Sequence, residues 1–241
     1  MKQAEYKAFC ECKNKFKAII EDIQKELPDL QEIQQRLMGD LQGYTVRTPV
    51  VYNEALDDVT ENDDIRLILI GDNPGRREQE KRRYLVGPSG KIAESFFERT
   101  LSIDFRKNII ILNKTPVHTP RTAGLKELCR VGGEKLKLVI DDSQIKMARL
   151  AADFFCALHV PIWICGYSEM KKNGIFESYT AALRGLILSG IVDKNSVYIY
   201  RHFSMNQFTI DLRQKMQKYA SGAVETLRRI GTEYREKILG V

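Results

Sequence analysis

The chain has 241 residues, 43% hydrophobic and 29% charged, which suits one ordinary globular domain, alone or with an extension. Its longest aliphatic runs, Leu67–Ile70 and Ile109–Leu112, fall far short of the roughly 20 apolar residues of a membrane-spanning helix. A net charge of +6 permits a nucleic-acid partner without requiring one; five irregularly spaced cysteines and no apolar leader after Met1 set the expectation of a reduced, cytoplasmic monomer.

Residues 2–38 predict helix, because Phe16, Ile20, Ile23, Leu27, Leu30 and Leu37 recur at three- to four-residue spacing. Pro28 splits it into two helices with a break near Leu27. Residues 1–42 carry seven basic and eight acidic side chains, so the positive charge lies elsewhere. They are expected to form an N-terminal helical extension that packs on the core or a partner, ahead of an α/β domain over 43–241. Strand patterns follow at Arg66–Ile70, Asn108–Leu112, Pro161–Cys165 and Ser196–Tyr200. Helical patterns lie near Gly90–Leu101, Ser143–Leu158 and Ser168–Leu188, and over most of Asp211–Leu239 with a break at Gly222. The run Arg76–Arg83, with five basic and two acidic side chains, reads either as a solvated charged loop or, directly after the Gly71–Gly75 loop, as a nucleic-acid contact. Continuous apolar strands separated by helices predict a three-layer α/β/α fold around a four-stranded parallel sheet.

That topology puts four polar segments on one rim, beyond the carboxyl ends of the strands, where open α/β sheets bind ligands. Gly71-Asp72-Asn73-Pro74-Gly75 follows the first strand. Its glycines allow close backbone approach and Pro74 stiffens the turn. Asp72 can orient or deprotonate a water, whereas Asn73 can only position one; an Asx-type turn is the structural reading of the same residues. Asn113 ends the second strand, and its amide can read a pyrimidine edge or simply cap a turn. Gly166-Tyr167-Ser168 follows the third strand. After the fourth, His202 can donate to an oxygen that gains charge, and Ser204 can hold a phosphate or cap a helix. His118 is a weaker candidate, and His159 reads as structural. Gly87-Pro88-Ser89-Gly90 opens a helix whose backbone N–H groups can hold a phosphate. Nucleotide-binding loops of the Gly-x-x-x-x-Gly-Lys and Gly-x-Gly-x-x-Gly types are missing, as is metal-site spacing, so no metal or organic cofactor is expected.

In this order the segments resemble the uracil-DNA glycosylase superfamily, whose first motif reads Gly-x-(Asp/Asn/Ala)-Pro-(Gly/Tyr). Asn73 falls where the mismatch-specific and single-strand-selective classes carry a catalytic asparagine. Asp72 falls where the thermostable iron–sulfur class carries an acidic residue. Tyr84-Leu85-Val86-Gly87-Pro88-Ser89-Gly90-Lys91 is similar to the Pro-Phe-Val-Gly-x-x-Gly segment of the iron–sulfur class. Ile109–Asn113 resembles the strand ending in the base-reading asparagine, and His202-Phe203-Ser204 resembles the family's His-Pro-Ser motif. The likeness covers roughly residues 45–215. There are departures. Cys10-Glu11-Cys12 and Thr115 do not match the cluster cysteines, so no iron–sulfur cluster is expected. Leu85 stands at the uracil-stacking aromatic, with Tyr84 beside it. Phe203 replaces the proline, and Met205 or Phe208 stands in for a duplex-wedging leucine.

The resemblance implies hydrolysis of the N-glycosidic bond of uracil or a related damaged base in DNA, as in base excision repair. Asp72, Asn73 and His202 are the implied catalytic residues. Gly71, Pro74, Gly75, Tyr84, Leu85, Gly87, Ser89, Asn113 and Ser204 are the implied substrate contacts, and DNA the implied partner. Two other readings stay open: a non-catalytic module of this fold that binds nucleic acid or a base, and a hydrolase of small nucleoside-like metabolites.

Overall fold

The computed structural model describes residues 1–37 and 43–241. The expected boundary at residues 42 and 43, and the end of the first helical stretch at residue 38, fall at or within 38–42, outside the described residues. Four short apolar segments form the sheet: β1 (Leu67–Gly71), β2 (Ile109–Asn113), β3 (Ile162–Cys165) and β4 (Val197–Tyr200). All pair in parallel, in the order β2-β1-β3-β4. The two innermost strands, β1 (Leu-Ile-Leu-Ile-Gly) and β3 (Ile-Trp-Ile-Cys), are apolar throughout because neither face of a doubly covered parallel sheet meets water. The register sets Gly71 level with Asn113, and Ile164 level with both Ile70 and Ile199. All four strands therefore end on the same rim.

Eight α-helices surround the sheet among the described residues: α1 (Gln3–Glu26), α2 (Leu30–Leu37), α3 (Arg76–Lys81), α4 (Pro88–Leu101), α5 (Ala123–Leu158), α6 (Glu177–Leu188), α7 (Gln207–Tyr219) and α8 (Ala223–Leu239). One face of the sheet carries Trp163 and Tyr200, which meet Phe97 of α4 and Phe208 of α7. Gly231 lets α8 lie close on the same face, since a β-carbon there would stand 2.7 Å from Tyr198 Cβ. On the other side α5 packs against β1, with α1 and α6 laid along it. The result is the expected three-layer α/β/α arrangement. No described helix is long and apolar enough to cross a membrane.

Pro28 separates α1 from α2 as its missing N–H and fixed φ require. The buried stripe of α1 belongs to the same hydrophobic core as the sheet. Phe9 packs on Phe154 at 5.6 Å, and Phe16 on Tyr52 at 5.1 Å.

Three segments differ from the sequence expectation. The helix expected from Ser143 begins at Ala123, and its interior bends at Gly133, whose φ of 74° no ordinary helix residue adopts. The Gly132-Gly133 pair hides the first half from a periodicity reading. The helix expected from Ser168 begins only at Glu177, after a run of turns. The charged run at 76–83 is not a plain loop: residues 76–81 form α3, with Glu78 and Gln79 buried. Gln79 holds the chain before β1, accepting from the Arg47 and Thr48 N–H groups at 2.8 and 3.1 Å.

Candidate functional site

A cleft of about 1140 Å³ opens on the rim. Gly71, Asp72, Asn73 and Gly75 form one edge, and Leu85, Gly87, Ser89 and Gly90 face the cleft from the loop that enters α4. Asn113 lies at the floor, and His202, Ser204 and Met205 close the side beyond β4. The four strand-end segments thus share one concavity, and Ser168 is the contribution of the third.

Gly71 and Asn113 face each other across the β1–β2 register, and a β-carbon on Gly71 would collide with Asn113 Oδ1. Glycine is required there by close approach. The Asn113 side chain is 3% exposed, and its Nδ2 has no hydrogen-bond partner among the described residues. The Tyr84 hydroxyl adjoins this amide; it donates to the Val51 carbonyl at 2.6 Å, and its oxygen can take no more than one of the two Nδ2 hydrogens. The second Nδ2 hydrogen is left without an acceptor among the described residues, and a ligand acceptor that reached it would recover part of the roughly 1–3 kcal/mol that an unpaired buried donor costs.

Asp72 and Asn73 are held differently. Asn73 donates from Nδ2 to the carbonyl and hydroxyl of Thr119, at 3.1 and 2.9 Å. Its amide nitrogen anchors the loop to the segment before α5. Asp72 accepts from Lys114 Nζ at 2.6 Å through Oδ1, and from Thr122 Oγ1 at 3.3 Å through Oδ2.

The Ser204 N–H donates to His202 Nδ1 at 3.0 Å. With Nδ1 accepting, a neutral His202 carries its proton on Nε2. Burial lowers the imidazole's pKa; the Asp72 charge opposes that and the Lys114 charge reinforces it. The ring is therefore an uncharged N–H donor near neutral pH.

Glu78 ties two cleft segments together. Its carboxylate accepts from the Gly75 N–H at 2.8 Å and the Leu85 N–H at 2.6 Å. Burial pushes its pKa up, while those two N–H groups pull it down. Leu85 has a left-handed backbone, φ 51°, and α4 approaches it so closely that a β-carbon on Gly90 would collide with the Leu85 carbonyl.

The basic run divides. Arg82 pairs with Glu54 and Arg83 with Asp58, each at 2.7 Å and away from the cleft. Arg76 and Arg77 line it, joined by Arg121 and Lys126 from the segment around the start of α5. Arg76 pairs with Glu80 at 3.6 Å and Lys126 with Glu169 at 2.7 Å. Arg77 and Arg121 have no acidic partner within ion-pair distance among the described residues.

Two expected contacts lie outside the cleft. Tyr84 is wholly buried, with its ring near Phe16, so it supports the floor and cannot stack on a ligand. Pro74 is buried as well, and its carbonyl accepts from His118 Nδ1 at 2.7 Å and the Thr119 N–H at 3.2 Å. Phe208 is buried against Phe203, at 4.4 Å between ring centroids, whereas Met205 is 83% exposed with φ 52°. The sequence reading passed over Lys114, Thr119, Arg121 and Thr122. The one available signal was a lysine directly after a strand-end asparagine. The chain matches no protein-family model and no curated protein.

Proposed function

We propose that the cleft is the active site of an N-glycosidic hydrolase of the uracil-DNA glycosylase superfamily, acting on uracil or a related damaged base in DNA. The observation that carries this reading is the Asn113 amide, buried at the cleft floor with a donor unspent. An amide presents a donor and an acceptor side by side, which complements the adjacent carbonyl and N–H of a flipped uracil.

The remaining groups fit the bond cleavage. A water oxygen bonds to C1′ as the C1′–N bond breaks, and the electron pair leaves with the base as an anion. His202 donates its Nε2–H to an oxygen of that anion, a contact that strengthens as charge develops. Asp72 orients the water and takes its proton, which then passes to solvent. Asn73 holds the loop through Thr119, so Asp72 is the water-placing residue of the two. Ser204, Ser89 and the backbone N–H groups at the start of α4 bind phosphates, with Arg77 and Arg121 also in the cleft lining. Met205 is the exposed side chain available to fill the gap left by the extruded base.

Release of uracil from single- and double-stranded oligonucleotides tests the reading. Asp72→Asn and His202→Ala are each expected to lower the rate by roughly 100-fold or more, and Asn73→Ala by less than about 10-fold. Full activity in both Asp72→Asn and His202→Ala would defeat the assignment.

A second reading follows from the walls. No phenylalanine, tyrosine or tryptophan lines the cleft among the described residues, and Leu85 offers an aliphatic surface where a base would stack. The cleft's four basic and four acidic lining side chains balance, which suits a small nucleoside-like metabolite better than a polyanion. Turnover of free nucleosides with weak DNA affinity would select it.

A further inference from the structure

Lys114 is a buried side chain of the rim that the mechanism above leaves without a task. It is 0% exposed, and its ammonium group reaches Asp72 Oδ1 at 2.6 Å, the Gly71 carbonyl at 3.3 Å and the Cys165 carbonyl at 3.2 Å. The Phe176 ring lies 5.1 Å away. Three N–H groups thus meet three acceptors. An ammonium so enclosed has no proton or lone pair to offer a substrate, so Lys114 is neither a nucleophile nor a phosphate ligand.

Stability does not explain it either. Taking two charges out of water costs several kcal/mol each, and well-packed apolar residues in place of a buried pair are often as stable. The pair does have a geometric effect. Lys114 follows β2 directly, and its bonds run to the last residues of β1 and β3, so one side chain cross-links three strand ends. It takes Oδ1 of Asp72 and leaves Oδ2 with only the 3.3 Å contact from Thr122. Gly166, with φ 92°, closes the other side of the carboxylate; a β-carbon there would stand 2.7 Å from Oδ1 and 3.1 Å from Oδ2.

We infer that Lys114 is a positioning residue of this cleft: by locking Asp72 through Oδ1 it presents Oδ2 to the ligand side, and its charge balances that carboxylate beside His202. The charged groups acting on the His202 ring are Asp72, from the β1 loop, and Lys114, from the β2 loop. From its own loop the ring receives the Ser204 backbone N–H. Without Lys114, the Asp72 charge stands unbalanced next to the imidazole and draws a proton onto it.

The activity arm of the test rests on the proposed glycosylase reading; two further arms do not. His202 is followed by NMR titration in wild type, Lys114→Met and Asp72→Asn, with His202→Gln assigning the signal. The His202 midpoint is expected to rise in Lys114→Met and to fall in Asp72→Asn. Melting of both single variants and the double is measured in parallel. The double is expected to melt above either single variant, because it leaves no unpaired buried charge. This arm serves even if Lys114→Met alone is too unstable to titrate. Uracil release in Lys114→Met is expected to drop roughly 100-fold in kcat with KM changed less than about 3-fold, and Lys114→Met should cost nothing more in the Asp72→Asn background. An unmoved His202 midpoint in a folded Lys114→Met, or a double variant melting no higher than the weaker single, overturns the role given to Lys114. A wild type that releases no base defeats the glycosylase reading and leaves the titration and melting arms to judge Lys114.

Discussion

The imidazole of His118 has both ring nitrogens engaged inside the protein: Nδ1 donates to the Pro74 carbonyl and Nε2 bonds to the Tyr44 hydroxyl. Burial pushes its pKa from 6.5 down to about 4, with the Pro74 bond opposing the shift. An unfolded chain takes up this proton near pH 6.5, whereas the folded one resists until about pH 4. The unfolded state therefore binds more protons across that window, and stability falls as the pH drops through it. The loss expected from this one group is about 3 kcal/mol. Urea unfolding of wild type and His118→Gln between those limits measures it, and equal slopes would rule it out. Gly71 makes a second prediction at this scale. A β-carbon there strikes the Asn113 amide, so Gly71→Ala should weaken binding of a uracil-containing oligonucleotide by roughly 10- to 100-fold. Unchanged affinity would separate Asn113 from base reading.

The short helix α3 shows how one element can organise two others. Its Glu78 accepts from the backbone of the loop after β1 and of the loop before α4, the two edges of the cleft. A glutamine there keeps one acceptor but turns an NH2 group toward a backbone N–H. Glu78→Gln is therefore expected to cost about 1–3 kcal/mol, read from urea unfolding, and to loosen both edges. A neutral result would mean that the loops hold their own shape. On the other flank, Thr119 and Thr122, just before α5, hold Asn73 and Asp72. The cleft loops are thus cross-tied by side chains from neighbouring elements.

At the scale of the molecule, α1 acts as part of the main body. Phe16 is fully buried and packs near Tyr84, which in turn adjoins Asn113 at the cleft floor. Phe16→Ala should cost roughly 3–5 kcal/mol and leave a single unfolding transition. A separate early transition, or a loss under about 1 kcal/mol, would mark the helices as an independent appendage. The cleft's charge is likewise a property of the whole. Its lining holds four basic and four acidic side chains, and pairing leaves Arg77 and Arg121 without an acidic partner among the described residues.

The sequence by itself determined the sheet and the rim. Runs such as Leu67–Ile70 and Ile109–Leu112 are too short and too uniformly apolar for anything but strands buried on both faces, and parallel connection then gathers their ends. Asp72, Asn113 and His202 were legible for that reason: each sits just past such a run or at its last residue. Only the tertiary structure decided which polar side chains are spent inside. Lys114, Glu78 and Gln79 look like surface residues in any periodicity argument, and Tyr84 looks like a ligand contact beside its motif. Whether a charged or aromatic group is buried depends on partners far off in the chain, as Lys114 depends on Asp72 and Cys165, 42 and 51 positions away. Local patterning carries no record of those partners, because the ion pair and the hydrogen bonds form only when the strand ends are brought together.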